Sequence, residues 1–186
     1  MEYTNEYYRQ AFKTAITDLH TLLEGVDDPT FSTAPAPGKW CIGEIISHLN
    51  ITAERYLKIM EAALNDDSLP KKNNSKPYTH PIHIRLFIKV VSPEYKRKTP
   101  TVESFEPISI QQIQREQLVN DFEAYQNRFL ALVEKADKKD LHLGKIKVRN
   151  PVVNFIKMSL SACFAINEAH QRRHFDQIKN ILHSSK

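Results

Sequence analysis

The sequence predicts an all-α protein folded as a four-helix bundle, with a long connector between the second and third helices. In four long segments the apolar residues recur every three or four positions, which is the spacing of one face of a helix. Glycine is scarce, with 4 residues, which disfavours a turn-rich all-β fold, and most of the 10 prolines fall between the periodic segments. A length of 186 residues fits one domain, which we expect to span residues 1–186.

The first predicted helix carries apolar residues at alternating spacings of four and three. Its stripe consists of Tyr8, Phe12, Ala15, Leu19 and Leu22. Gly25 follows the stripe, and glycine is a common stop signal for a helix. The Pro-rich stretch "DDPTFSTAPAPGK" is then predicted to be a connector.

The second predicted helix runs from about Trp40 to Leu64 and places a histidine among apolar residues. Its stripe consists of Ile45, His48, Leu49, Thr52, Tyr56, Ile59 and Ala63. His48 therefore faces the same way as the apolar side chains. The polar stretch "NDDSLPKKNNSKP" ends this helix.

The third predicted helix begins at Ser109. Ser109 and Gln112 have the S-x-x-Q spacing of a capping box. The stripe that follows consists of Leu118, Phe122, Tyr125, Phe129, Leu132 and Ala136.

The fourth predicted helix begins at "NPVV", where Asn150 can cap and Pro151 suits the first helical position. Its inward stripe consists of Ile156, Leu160, Cys163, Asn167, His170, His174, Ile178 and Ile181. Three consecutive members of this stripe are polar, which is unusual for a core-facing position.

The connector between the second and third helices contains "PIHIRLFIKVV", which fits either a short helix or a strand. We expect the rest of it to be an ordered loop packed over one end of the bundle. The stretch from Lys71 to Lys98 is basic, with Glu94 as its one acid. Its basic residues are Lys71, Lys72, Lys76, Arg85, Lys89, Lys96, Arg97 and Lys98. A solvated connector and a nucleic-acid patch both fit this charge, but no nucleic-acid motif accompanies it.

The composition and the N-terminal sequence argue against a membrane-spanning or secreted protein. The net charge of +4 is mildly basic, and no apolar run approaches the length of a membrane span. The N-terminal stretch "MEYTNEYYRQAF" has no signal-peptide pattern, so we expect a cytoplasmic location. The two cysteines form no C-x-x-C motif. Cys163 is expected in the core, and Cys41, at a helix start, fits either a packing or a reactive role.

His170 and His174 are four residues apart on the fourth helix. In a chain with 8 His this spacing is weak evidence of a metal site. A shuffled sequence of the same composition would contain on average about one third of an H-x-x-x-H pair. Their setting is more informative, since with Asn167 they form the polar stretch of an apolar stripe. An unpaired buried polar group costs roughly 1–3 kcal/mol. A metal ion that accepts a lone pair from each imidazole removes this cost, and separate hydrogen bonds are the alternative.

A zinc-type site usually has at least three protein ligands, and His48 on the second helix is the obvious third. The alternative is that His48 is a core histidine with its own hydrogen bond. The remaining histidines are weaker candidates, in loops, beside a stripe or at the C-terminus. These are His20, His80, His83, His142 and His183.

Several segments in order along residues 35–182 resemble the DinB-like, or YfiT-like, superfamily of metal-dependent hydrolases. "APGKWCIGEIISHLN" resembles its P-x-G-K-W-S-I-x-E-x-x-x-H-L segment, and "NPVVNFIKMSLSACFAINEAHQRRHFDQI" resembles its closing segment, which ends in H-x-x-R-H-x-x-Q-I. The loop "KTPTVESFEP" is similar to the one before the third helix in many members. Two departures stand out: Cys41 replaces the serine of W-S-I, and "HLN" replaces the "HLAD" frequent in thiol-transferase relatives.

The resemblance implies a four-helix bundle with a metal site formed by His48, His170 and His174. It implies a divalent ion, zinc or nickel, and a small-molecule substrate. Relatives carry out thiol-dependent transfers and isomerisations with bacillithiol, mycothiol or glutathione, so a low-molecular-weight thiol is expected as a cosubstrate.

Two function classes follow from this site. The first is an enzyme of the thiol S-transferase or hydrolase type, in which the ion activates a thiol or a water. The second is a non-catalytic module stabilised by metal or active in stress responses. Asn167 could orient a ligand, and Arg173 and Gln177 are assigned to packing or salt bridges. We expect no nucleic-acid and no membrane partner, and a homodimer stays open.

Overall fold

The structure, a computed structural model, describes residues 2–66, 68–72, 76–97, 100–112 and 114–184. Its α-helices are α1 (Asn5–Leu23), α2 (Asp28–Ser32), α3 (Ile42–Ala63), α4 (Ile82–Val91), α5 (Arg115–Lys138) and α6 (Leu160–Ser184). Two short strands, β1 (Lys147–Arg149) and β2 (Lys157–Ser159), pair antiparallel, with Val148 opposite Met158. Lys98 of the basic connector lies outside the described residues.

The long helices α1, α3, α5 and α6 form the predicted four-helix bundle. Each of α1 and α3 packs against both α5 and α6, which places α1 and α3 on one diagonal of the bundle. The apolar stripes predicted for α1, α3 and α5 face the interior. The predicted all-α fold is therefore confirmed, and α3 and α6, which carry the three candidate histidines, are neighbours.

Aromatic rings fill much of the core. The rings of Phe12 and Phe129 stack with their centroids 4.6 Å apart, and Phe164 packs against Phe129 at 6.0 Å. A second apolar cluster surrounds the first half of α3 and the last turns of α6, with Ile45 and Ile178 fully buried. Burial of this apolar area is the main driving force for the bundle.

The ends of α1 follow the sequence signals. The side chain of Thr4 accepts a hydrogen bond from the backbone N–H of Tyr7 at 3.0 Å, which caps the first turn. Beyond Leu23 the chain leaves the helix, and Gly25 has φ of +71°, a left-handed conformation that glycine adopts without strain.

A thiol caps the N-terminus of α3. The Sγ atom of Cys41 accepts from the backbone N–H of Glu44 at 3.4 Å, and the Glu44 carboxylate accepts from the backbone N–H of Cys41 at 2.9 Å. These two bonds are the reciprocal pattern of a capping box, so Cys41 keeps the capping role at the position where the family-like segment has serine. Cys41 is also buried, and burial raises the pKa of its thiol, which favours the packing role over the reactive one.

We expect Cys41→Ala to destabilise the protein by about 1 kcal/mol, because it removes the acceptor for the Glu44 amide. Cys41→Ser keeps an acceptor of similar size and should stay within about 0.5 kcal/mol of the parent. Urea unfolding of the three proteins measures the difference. Equal stability of the alanine and serine variants would show that the thiol does not act as a cap.

The predicted start of the third helix at Ser109 is wrong. The Ser109 carbonyl accepts from the N–H of Gln112 at 2.8 Å, which closes only one 3-10 turn. The Ser109 hydroxyl donates to the side-chain oxygen of Gln111, a bond that is not one of the two in a capping box. The chain is extended again at Gln114, and α5 starts at Arg115.

The predicted start of the fourth helix at Asn150 and Pro151 is also wrong. The Asn150 side chain does accept from the N–H groups of Val152 and Val153, at 2.7 and 2.9 Å, but the turn does not propagate. The N–H of Asn150 instead bonds the carbonyl of Ile156 at 2.9 Å and closes a hairpin between β1 and β2. The β-branched valines are weak helix formers, which favours this outcome.

The start of α6 is capped by Ser159, the last residue of β2. The Ser159 hydroxyl accepts from the backbone N–H of Ala162 at 3.1 Å, so Ser159 takes the capping role that the sequence assigned to Asn150. The whole length of α6 from Leu160 is then available to pack in the bundle.

The ambiguous segment "PIHIRLFIKVV" is a helix, α4, which packs against α6. Ile84 and Ile88, four residues apart, are buried, which is helical and not strand spacing. Ile82 and Leu86 point outward and are 65% and 56% exposed. Within the part of the chain that the structure describes, no helix has the length and apolar character needed to cross a membrane.

Candidate metal centre

Three histidine side chains converge between α3 and α6. His48 comes from α3, and His170 and His174 come from successive turns of α6. The Nε2 atom of His170 lies 3.2 Å from Nε2 of His48 and 3.0 Å from Nε2 of His174. The ligand nitrogens of all three lie within 4.8 Å of one another. The structure thus brings together the three residues that the sequence singles out as ligands.

The ring of His48 is oriented by a backbone carbonyl from the connector. Its Nδ1 atom lies 2.6 Å from the carbonyl oxygen of Phe105, in the short 3-10 turn Glu103–Phe105. A carbonyl oxygen only accepts, so Nδ1 of His48 carries the proton. Nε2 of His48 is then left with a lone pair that faces His170.

The ring of His174 is also oriented by a hydrogen bond at Nδ1. Its Nδ1 atom lies 3.0 Å from Oε1 of Gln177, one turn further along α6. With Nδ1–H donated to this oxygen, Nε2 of His174 also presents a lone pair toward His170. Such outer hydrogen bonds are the usual means by which a protein fixes the tautomer of a histidine ligand.

The donor atoms fit a metal ion better than they fit one another. Two lone pairs, from His48 and His174, face the single Nε2 of His170, which has at most one proton to donate. A cation held by the three nitrogens would accept all three lone pairs. Metal–nitrogen distances of about 2.0–2.1 Å correspond to ligand nitrogens about 3.3 Å apart in a four-coordinate site. The two distances to Nε2 of His170, 3.0 and 3.2 Å, are close to this spacing, and the full set lies within 4.8 Å.

The surroundings favour neutral imidazoles. Burial lowers the pKa of His174 to about 3, with His48 as a further cause, and burial also lowers the pKa of His48. The pKa of His170 lies well below its usual range because of burial and the neighbouring imidazoles. Near neutral pH the three nitrogens therefore keep their lone pairs, which is the state that binds metal.

These shifts predict an acid-sensitive metal-free protein. The pKa of His174, about 3 when folded, lies below the unfolded value of about 6.5. Between these values the unfolded chain binds more protons, so acidification favours unfolding. Below pH 6.5 we expect up to about 1.4 kcal/mol of stability to be lost per pH unit for each such histidine.

Denaturant unfolding in the presence of a chelator at pH 7.5, 6.5 and 5.5 measures this loss. The variant His174→Gln should show a shallower decline, since one buried imidazole is removed. A stability that is constant or rises toward pH 5.5 would contradict the expected sign.

An indole covers one side of the site. The ring of Trp40 lies 4.9 Å from the ring of His48 and 6.2 Å from that of His174. His48 and His174 are buried, at 5% and 7% exposure, whereas His170 is partly exposed. His170 is therefore the most exposed of the three candidate ligands.

The connector covers another side. In addition to the hydrogen bond that His48 donates to the Phe105 carbonyl, the backbone N–H of Ile108 donates to the hydroxyl of Ser47 at 3.1 Å. The guanidinium of Arg55 lies 4.9 Å above the Phe105 ring. These contacts hold the stretch 105–108 against α3 beside the site.

The other histidines are elsewhere. His20 is exposed and pairs with Glu123 at 2.8 Å, and His83 is exposed on α4. His80, expected in a surface or loop role, does lie in the loop before α4 but is buried, with Nε2 3.1 Å from the hydroxyl of Ser161. That burial lowers the pKa of His80 to about 4. Among the described residues, His48, His170 and His174 are the one group of His, Cys, Asp or Glu suited to hold an ion.

Two other polar candidates are placed outside the centre. Asn167 donates its amide N–H to the carbonyl of Cys163 at 2.9 Å, which satisfies it within α6. Cys163 is fully buried, as expected for a core residue, and burial raises the pKa of its thiol.

Three contributors to the site were not predicted from the sequence. Gln177 is predicted to serve packing or salt bridges, although its spacing of three from His174 on one helix is also that of a hydrogen-bonded pair. In the sequence, Trp40 marks a helix start and part of the family-like segment, and no role at the site is predicted for it. The carbonyl of Phe105 is a backbone group, and nothing in the sequence pattern marks a backbone oxygen as a partner of His48.

Comparisons with known proteins identify a family and a similar solved structure. Residues 11–178 match the DinB superfamily. A solved structure, described as "YfiT from Bacillus subtilis is a probable metal-dependent hydrolase with an unusual four-helix bundle topology", is similar with a TM-score of 0.60 and 12% identity. The similarity covers 97% of this chain and 87% of that one, and at this identity it supports the fold alone. Among curated proteins, none matches the chain.

Proposed function

Because this chain belongs to the DinB superfamily, we propose that it is a metal-dependent enzyme that holds one divalent ion with His48, His170 and His174. The observation that carries the proposal is the convergence of three neutral imidazoles whose Nε2 atoms cannot satisfy one another. The substrate is a small molecule, and the reaction is of the thiol S-transferase or hydrolase type.

The donor set supports zinc or nickel. All three ligands are imidazole nitrogens, which suit zinc, nickel, copper and iron, whereas magnesium and calcium prefer oxygen. Three protein ligands are the usual number for a catalytic site, because they leave a coordination position for an exchangeable group. Zinc and nickel, the two ions that the family resemblance implies, belong to this group and are the ions to test first.

The ion would act as a Lewis acid, by acidifying either a thiol or a water. The residues around it have separate tasks. The Phe105 carbonyl and Gln177 keep the rings of His48 and His174 in the ligating orientation. The buried position of both rings excludes bulk water, and the indole of Trp40 offers an apolar surface beside the site.

A low-molecular-weight thiol is the proposed cosubstrate for the transferase reaction. Bacillithiol, mycothiol and glutathione share a thiol that binds zinc or nickel well, since soft thiolates prefer such ions. The hydrolase reaction needs only water. The chain's charge of +4 favours an anionic small molecule through general attraction, without naming it.

A screen of the zinc-loaded and nickel-loaded protein separates these possibilities. Each form is incubated with the three thiols and a set of electrophiles, and separately with esters and amides. Thiol consumption or hydrolysis above the level of His174→Ala supports the enzyme. A metal-loaded protein with a raised melting temperature but no activity above His174→Ala would favour the non-catalytic, metal-stabilised alternative.

A further inference from the structure

Arg173 stands between two candidate ligands in sequence but reaches away from them. It lies on α6 between His170 and His174, and one guanidinium nitrogen donates to the carbonyls of Val90, Ser92 and Tyr95, at 3.1, 3.2 and 2.6 Å. The other terminal nitrogen donates to the carbonyl of Arg97 at 2.8 Å.

These acceptors all belong to the end of α4 and the turn that follows it. Helix C-termini leave carbonyl oxygens unpaired, and a cation satisfies both the oxygens and the negative end of the helix dipole. The guanidinium also lies 5.9 Å from the centroid of the Tyr95 ring. Arg173 is therefore a cap supplied by α6 to a different helix, α4, and it holds the stretch 90–97 against the helix that carries two candidate ligands.

The same connector contacts the third candidate ligand further along. The Phe105 carbonyl accepts from Nδ1 of His48, and the N–H of Ile108 donates to Ser47. The connector is thus attached to α6 at residues 90–97 and to α3 at residues 105–108. Both attachments involve the helical turns that present the candidate ligands.

We propose that Arg173 is a positioning residue for the metal centre. By fixing residues 90–97 to α6, it restricts the connector that delivers the Phe105 carbonyl to His48. This inference rests on the proposed function, since it presumes that the three histidines bind metal. The expected consequence is a weaker hold on the ion when Arg173 is changed, although Arg173 itself is not a ligand.

The planar fork of arginine explains why lysine would serve less well. Arg173 bonds four carbonyl oxygens with two nitrogens in one plane, whereas lysine offers a single ammonium. The neighbouring Arg172 differs in its partners, because it pairs with the carboxylates of Glu168 and Glu94. Position 173 alone of the two joins α6 to the backbone of the connector.

The test is a nickel titration of metal-free full-length protein, followed by the fluorescence of Trp40, the single tryptophan of the chain. The variants are Arg173→Gln and Arg173→Lys, with Arg128→Gln as the control. Arg128 is also partly exposed, and it forms two bonds with the Glu61 carboxylate of α3, at 2.8 and 2.9 Å, instead of bonds with the backbone of residues 90–97. Thermal melting of each metal-free variant reports any general loss of stability.

We expect Arg173→Gln to weaken nickel binding about tenfold, the lower end of the range for outer-shell partners, with one ion still bound at saturation. Arg173→Lys should fall between it and the parent, and Arg128→Gln should match the parent. Equal affinity for Arg173→Gln and Arg128→Gln, whatever their melting temperatures, would overturn the positioning role. The parent protein is also titrated with zinc, and a parent that binds neither nickel nor zinc would instead overturn the proposed function.

Discussion

Removal of the metal is expected to lower the melting temperature by on the order of 10 °C. An ion that binds only the folded protein stabilises it by about 4 kcal/mol when its free concentration is a thousand times the dissociation constant. For a chain of 186 residues, each kcal/mol shifts the melting temperature by about 2–4 °C. The cause lies in the facing lone pairs of His48 and His174, which lose their partner when the ion leaves.

Thermal melting of the zinc-loaded protein, before and after chelation, measures this shift. The same comparison on His174→Ala is the control, because that variant lacks a ligand and should show little difference. His20→Ala, which changes an exposed histidine outside the centre, should shift as the parent does. An equal shift in His174→Ala and the parent would place the stabilising ion elsewhere.

The second large effect concerns the core. Phe129→Ala should destabilise the protein by about 3–5 kcal/mol, because it removes a fully buried ring and leaves a cavity. The ring stacks on Phe12 at 4.6 Å and packs against Phe164, so contacts between three helices are lost. Denaturant unfolding gives the free energy directly.

Phe155→Ala is the matched control for this change. Phe155 is 79% exposed in the turn between β1 and β2, so the same substitution should change stability by less than about 0.5 kcal/mol. If both variants were equally destabilised, the assignment of Phe129 to the core would be wrong.

The helices themselves were predictable because their interiors obey one period. Phe122 and Phe129, seven apart, and Tyr8 and Phe12, four apart, all face inward as the helical spacing requires. His48 could be placed on the inner face for the same reason. Positions three or four apart share one face of a helix, and the packing of that face in the core stabilises the helix. The shorter segment that forms α4 fitted a helix or a strand, and only the structure decides for the helix.

The helix starts were less predictable, because local signals have competing uses. Asn150 accepts two backbone N–H groups as a capping residue would, yet the hairpin that follows takes the chain away from the helix. Ser109 and Gln112 have the capping-box spacing but close a single 3-10 turn. Whether such a signal starts a helix or a turn depends on the hydrogen-bond partners that the folded protein offers to the flanking residues.

At the candidate metal site, too, some features could be predicted from the sequence and others could not. The ligand candidates were found from the sequence because a polar side chain on an apolar stripe is visible there. The groups that orient them were not, since the Phe105 carbonyl is 57 residues from His48 along the chain and belongs to a loop. Contacts made by backbone atoms of distant segments leave no residue-type signal.

Elemental analysis of the purified protein is the most direct test of a metal centre built from the three histidines. We expect about one zinc or nickel ion per chain in the parent and in His20→Ala. We expect almost none in His48→Ala, His170→Ala and His174→Ala, each checked by circular dichroism to be folded. A full complement of metal in the folded His48→Ala and His174→Ala variants would contradict a centre built from the three histidines.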